Sequence, residues 1–166
     1  MQKSEAVRGR KVVLQPGEGR SFWQPVPANG FAEPRLVPGE TKFEGVSLGF
    51  QSIAPGSYVR EHSHSDQIEM LVGFSGRGTV KVDGVPHPMV PGTTCFLGYD
   101  VKHQIINETD EDLVMVWAIA PAGLEGFFET IGRPREEGEP APEPFPRPED
   151  TDAIDRRSGM NATAEA

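Results

Sequence analysis

GSYVREHSHSDQIEMLVGFSG, residues 56–76, decides the fold. It reads as two short strands. Residues 57–62 form the first, and residues 67–73, with Ile68, Met70, Leu71 and Val72, form the second. Between them Ser65-Asp66 has the polarity of a turn, and Ser75, Gly76 and Gly78 reverse the chain at the far end. Side chains two apart on a strand point to the same face, so His62 and His64 are expected to share one. Glu69 stands on the adjoining strand, about 5 Å away in the pairing direction, and reaches the same point.

The rhythm continues on both sides. Residues 43–53 read as a strand closed by Ala54-Pro55-Gly56. Downstream, residues 79–82 and 85–89 flank Asp83-Gly84, a strong hairpin signal. Pro91-Gly92 turns the chain again, and residues 93–97, 102–106 and 113–119 complete the set. Short strands at this spacing, with 19 glycines and 16 prolines to turn them, indicate an all-β sandwich or barrel.

Three of the four histidines join one pattern. His103 opens a late strand and supplies a donor from across the barrel to meet His62, His64 and Glu69. His-x-His alone is equally well explained by a polar, solvent-facing strand; that explanation covers neither Glu69 nor the flanking glycines. Three imidazoles and one carboxylate suit one divalent transition metal (iron, nickel, manganese, zinc or copper) and suit calcium badly, since calcium takes oxygen ligands. His87, beside two prolines on a hairpin, reads as a surface residue.

The spacing Gly56-x5-His62-x-His64-x4-Glu69-x6-Gly76 resembles the first motif of the cupin superfamily at every position. The second motif is similar over Gly92, Gly98, Asp100, His103 and Asn107, with Gly98 where the family has proline and Asp100 where it has a second glycine. Those departures fall on turn positions and bear on loop shape more than on ligation. Fifteen residues, 77–91, separate the motifs, as in small single-domain cupins. The resemblance covers residues 43–119. It implies an antiparallel jelly-roll β-barrel with the metal inside, and a homodimer. Residues 121–129 are similar to the segment after the barrel in quercetinase-like cupins.

With His62 and His64 inward, period-two counting also turns Tyr58 and Arg60 inward, and places Gln67 and Leu71 on the face of Glu69. Phe96 and Ile105 are expected to line the pocket, with Trp117 able to do so on either register. Cys95, alternating with Phe96, is expected to face away from the metal. Arg60 either holds a substrate carboxylate or phenolate or sits at the strand end with its head in solvent. Tyr58 is either a hydrogen-bond donor to substrate or part of the wall.

Outside the barrel, assigned to residues 42–120, three segments follow from composition. Residues 1–41 read as an arm and loop packing on the barrel: residues 1–10 polar and mobile, 11–14 a first strand, and 16–38 a turn-rich stretch docked by Phe22, Trp23 and Phe31. Residues 121–132 read as a flanking helix, because Leu124, Phe127, Phe128 and Ile131 recur at spacings of three and four. Residues 133–166 read as a Pro-rich acidic tail, its last fifteen or so residues disordered.

The net charge of −9 repels phosphates and argues against a nucleic-acid partner. No stretch is long and apolar enough for a membrane span, and residues 1–15, without a long apolar run, are not expected to be a secretory signal. With a single cysteine, Cys95, no intrachain disulfide forms. The expectation is a cytoplasmic protein. Function is expected to be that of a metal-dependent enzyme, with Glu69, Tyr58 and Arg60 as catalytic candidates. The leading version is a dioxygenase acting on an enolic or phenolic compound. Alternatives are a non-oxidative isomerase, lyase or decarboxylase at the same site, or a metal-bearing module that binds a small ligand. A storage role is disfavoured by the intact ligand set.

Overall fold

The computed structural model describes residues 5–162. After a short 3-10 turn at Glu5–Val7, the elements run β1 (Phe22–Trp23), β2 (Phe31–Leu36), α1 (Pro38–Thr41), β3 (Ser47–Ile53), β4 (Tyr58–His64), β5 (Ile68–Ser75), β6 (Gly78–Val82), β7 (Val85–Met89), β8 (Thr94–Leu97), β9 (His103–Ile106), β10 (Leu113–Ala120), α2 (Glu125–Ile131), β11 (Arg133–Pro134), α3 (Thr151–Arg157) and β12 (Met160–Ala162). The strands form two antiparallel sheets. One has the order β11-β1-β2-β3-β10-β5-β8, the other β12-β4-β9-β6-β7. The expected antiparallel all-β architecture is present as two sheets, and neither closes on itself among the described residues.

Alternation explains how the sheets pack. On β10, Leu113, Met115, Trp117 and Ile119 are buried while the residues between them are half-buried. On β5, Glu69 and Leu71 turn inward and Met70, Val72 and Phe74 outward. β10 pairs with β3 on one side and β5 on the other, so the three strands present one apolar face. Val80 of β6, Met89 of β7 and Ile105 of β9 meet it from the second sheet. Burying each such side chain contributes about 1.5–3 kcal/mol.

Two turns fix the register. Asp83 (φ 47°) and Gly84 (φ 80°) are both left-handed, the mirror-image turn that suits the twist of the β6–β7 hairpin. Gly76 (φ 70°) brings its backbone against Asp112, where a Cβ would lie 2.1 Å from the carbonyl oxygen. Only glycine closes β5 onto the start of β10 there.

Four expectations for the flanks are corrected. Residues 11–14 pair with no strand among the described residues, and Val13 is 77% exposed. Phe22, Trp23 and Phe31 lie on strands β1 and β2 rather than in a draped loop. The helix begins at Glu125, with residues 121–124 leading into it, although its apolar residues Leu124, Phe127, Phe128 and Ile131 are buried as expected. The described part of the tail carries regular structure. α3 places Ile154, and β12 places Met160, in the hydrophobic core, and β12 pairs along β4. The expectations for residues 1–4 and 163–166 lie outside the described residues. No helix among the described residues is long and apolar enough to cross a membrane.

Candidate metal centre

β4 and β9 pair antiparallel with His62 directly opposite His103, and His64 follows two residues along β4. Glu69 comes from β5 in the facing sheet. The donor atoms of His62, His64, Glu69 and His103 all lie within 4.8 Å of one another, and all four residues are buried. The four ligands expected from the sequence therefore converge.

The hydrogen bonds set which ring nitrogens point inward. Nδ1 of His62 lies 2.8 Å from the carbonyl oxygen of Arg60, and Nδ1 of His103 lies 3.0 Å from that of Val101. A carbonyl only accepts, so each ring donates through Nδ1–H and, when neutral, offers its Nε2 lone pair to the centre. Both ring nitrogens of His64 lack a hydrogen-bond partner. Oε2 of Glu69 stands 2.8 Å from Nε2 of His103 and 3.4 Å from Nε2 of His64. Buried acceptors facing one another at these distances need a proton or a metal cation between them. The donor set and its orphaned atoms thus fit a divalent transition metal.

The electrostatics agree. Burial, aided by the charge of His103, pushes His62 down to about 3, so its ring is neutral near pH 7. Burial alone raises the Glu69 carboxyl, but the His103 and His64 imidazoles beside it outweigh this and hold the group well below the usual carboxylate range. Burial likewise lowers His103, and its hydrogen bond to Glu69 overcomes this and raises it above the ordinary value of 6.5. Without metal, the His103–Glu69 pair keeps a proton to higher pH than a free imidazole would. A metal must displace it. Metal affinity is therefore expected to rise with pH through the region above 6.5, with about one proton released per ion. Chelator competition across that range checks the slope, and calorimetry in buffers of different ionisation enthalpy counts the proton; a flat profile would contradict the His103–Glu69 arrangement.

A small cavity with about 30 Å³ of room adjoins the cluster at His62, space for about two waters. Tyr58 and Arg60 border it, as the period-two counting expected. The Arg60 head is neither in solvent nor open: its Nη2 lies 2.7 Å from Oδ2 of Asp155 on α3, with 13% of the side chain exposed.

The remaining expected pocket residues lie elsewhere. Phe96 is 69% exposed. In the β5–β8 pairing Glu69 opposes Leu97, Met70 opposes Phe96 and Leu71 opposes Cys95. Opposed residues share a face, so Phe96 joins Met70 outside while Cys95 packs inside, the reverse of the expected assignment. Burial and the Glu69 charge push the Cys95 thiol up. Gln67 is buried, but its amide donates to the carbonyls of Pro121 and Ala122 at 3.0 and 3.4 Å, anchoring the approach to α2. Leu71, Ile105 and Trp117 are core residues that do not border the cavity, Trp117 lying 5.5 Å from the Phe128 ring. His87 is exposed, as expected.

Sequence reasoning missed the other walls. Gln24 and Gln51 border the cavity and pair through a 2.6 Å side-chain hydrogen bond. Phe127, Arg147 and Met160 border it from the C-terminal part of the chain. A signal for α3 was present. Asp152 in its first turn, Arg156 and Arg157 in its last, and left-handed Gly159 beyond it complement a helix at both ends.

Comparison with known proteins agrees with this geometry. Residues 49–119 match the cupin domain family. Protein SchB of Streptomyces halstedii is 31% identical over 80 residues, covering 46% of this chain and 58% of that protein. Dimethylsulfoniopropionate lyase DddW of Ruegeria pomeroyi is 32% identical over 80 residues, covering 48% of this chain and 51% of that protein. The chain thus spans little more than half the length of these curated relatives. Among solved structures, a sugar phosphate isomerase of the cupin superfamily from Silicibacter pomeroyi superposes with a TM-score of 0.58 at 19% identity, over 68% of this chain and 77% of that one, a likeness of fold.

Proposed function

We propose that this chain, whose residues 49–119 match the cupin domain family, is a metal-dependent enzyme acting on a small organic molecule by a non-oxidative lyase or isomerase reaction. The observation that carries this reading is the convergence of four buried donors on one point, with a cavity opening beside His62. Zinc, iron, nickel, manganese or copper suits that donor set. Such an ion supplies Lewis acidity, drawing electron density from a substrate oxygen.

The chain's own residues do the rest. Glu69, held ionised by His103 and His64, serves as ligand and, when that contact loosens, as proton acceptor. Tyr58 on the cavity wall offers a phenol as proton donor. Phe127 and Met160 supply apolar parts of the cavity wall.

The cavity's size favours a compact substrate over a bulky phenol, and a curated relative is a lyase. The dioxygenase reading uses the same metal and is separated by one experiment. Once a compound is found to turn over, its conversion under argon should continue; conversion that stops without oxygen, with oxygen consumed in air, would replace the lyase or isomerase reading by the dioxygenase one. Glu69→Gln is expected to weaken metal binding less than loss of a histidine, yet to lower turnover roughly a hundredfold. Unchanged kcat in steady-state assays would remove Glu69 from the chemistry.

The protein is further proposed to be a homodimer. Met70, Val72, Phe74 and Phe96 form an outward apolar stripe across β5 and β8, with Phe74 58% and Phe96 69% exposed. A second copy is the occupant the family resemblance implies, and a stripe of this kind marks an association surface. Light scattering should give twice the chain mass, and the double substitution Phe74→Asp with Phe96→Asp should halve it. A monomeric wild type at micromolar concentration would refute the dimer.

A further inference from the structure

We propose that Gln51 of β3 is a specificity-determining residue of the cavity beside His62, its side-chain amide receiving a hydroxyl group of a small substrate whose other oxygen lies towards the metal centre. This rests on reading that cavity as the substrate site, and it names a substrate class, compact compounds with a hydroxyl next to a second oxygen-bearing carbon.

Gln24 orients the amide. Its Nε2 donates to the carbonyl oxygens of Ser52 at 2.8 Å and Phe31 at 3.2 Å. A carbonyl only accepts, so both N–H groups of Gln24 are committed to the backbone and its Oε1 faces the other way. There it accepts from Nε2 of Gln51 at 2.6 Å. Turning the Gln51 amide over would set two acceptor oxygens against each other inside the protein, where both side chains are buried. The backbone of β2 and β3 thus fixes, through Gln24, which end of Gln51 is left over.

What is left over is one N–H and the whole of Oε1. Among the described residues the Gln51 side chain makes no other hydrogen bond, and its Oε1 keeps an opening to the cavity that Gln51 borders with His62. Nδ1 of His62 is committed to the carbonyl of Arg60, and Nη2 of Arg60 to Asp155. Gln51 therefore presents a donor and an acceptor side by side, held in place before any ligand arrives.

That pair selects among functional groups. A carboxylate or ketone only accepts and would set its lone pairs against Oε1, while a methyl group would leave both ends of the amide unpaired. A hydroxyl donates and accepts through one atom and satisfies both. The cavity has about 30 Å³ of room, space for about two waters, so the oxygen that Gln51 meets and the one towards the metal belong to neighbouring carbons.

The test is a saturation-transfer NMR titration of the full-length, zinc-loaded protein with ethane-1,2-diol and propan-1-ol, which match in size and differ by a hydroxyl against a methyl. Wild type is expected to bind the diol roughly tenfold more tightly, the opposite of what an apolar slot would do. Gln51→Leu is expected to keep its zinc and lose that preference. Equal binding of the two alcohols by the wild type, or tighter binding of propan-1-ol, would overturn the proposal whether or not the variant folds. A Gln51→Leu protein that still prefers the diol would overturn it too, since both hydroxyls would then sit on the metal. A protein that takes up no zinc or other ion would defeat the enzyme reading separately. The metal-free wild type should even then favour the diol over propan-1-ol, and its failure to do so would remove Gln51 from ligand recognition.

Discussion

His103→Ala is expected to lower metal affinity more than about a hundredfold, beyond the 10–100-fold that loss of an outer-shell partner typically costs. Two losses combine. The imidazole opposite His62 across the β4–β9 pair disappears, leaving two histidines of one strand and a carboxylate. Glu69 also loses the partner 2.8 Å away that holds it ionised. With only His64 left beside it, at 3.4 Å, the buried carboxylate either protonates or destabilises the fold, by up to about 3–5 kcal/mol. The variant should therefore retain almost no metal after gel filtration and melt well below the wild type when both are metal-free. His62→Ala should lose metal similarly, but it leaves the His103–Glu69 pair intact and should melt closer to the wild type. Retention of a full complement of metal by His103→Ala would refute the ligand set.

The second large effect lies in the C-terminal segment. Asp155→Ala removes the carboxylate that Arg60 and Arg147 both contact, so that each largely buried guanidinium loses that ion pair. The expected loss is about 3 kcal/mol, a fall of roughly 10 °C in melting temperature for a chain of this length. The effect should reach the metal site's neighbourhood, because β12, which follows α3, pairs Met160 with His64 and Ala162 with His62. Asp150→Ala is the control. Its ion pair with Arg157 spans 3.7 Å between side chains 64% and 65% exposed, and such pairs contribute under about 1 kcal/mol. Calorimetry of the two variants decides; equal melting temperatures would show that the C-terminal segment does not hold the structure together.

The metal centre was legible because its signal is local. His62, His64 and Glu69 are separated by a strand repeat and one turn, and that spacing determines the face on which they meet. His103 needed only the assumption that its strand pairs nearby. The helix at α2 showed in the recurrence of Leu124, Phe127, Phe128 and Ile131. Phe96 was misplaced because alternation gives two possible phases, and its apolar ring suggested the wrong one. The β5–β8 register, a long-range property, turns it outward. The C-terminal segment was misread for a related reason. Its prolines and charges resemble a solvated tail, while its two core contributions, Ile154 and Met160, are single apolar residues without a repeat. Arg60 and Asp155 are 95 residues apart, and nothing local in the sequence links them.

The central claim is a metal ion held by His62, His64, Glu69 and His103. Its most direct test is element-resolved mass spectrometry of the purified, untagged protein, as isolated and after incubation with each candidate ion followed by gel filtration. The structure predicts close to one transition-metal ion per chain from at least one of these preparations. A protein still empty after incubation with zinc, iron, nickel, manganese and copper would contradict it.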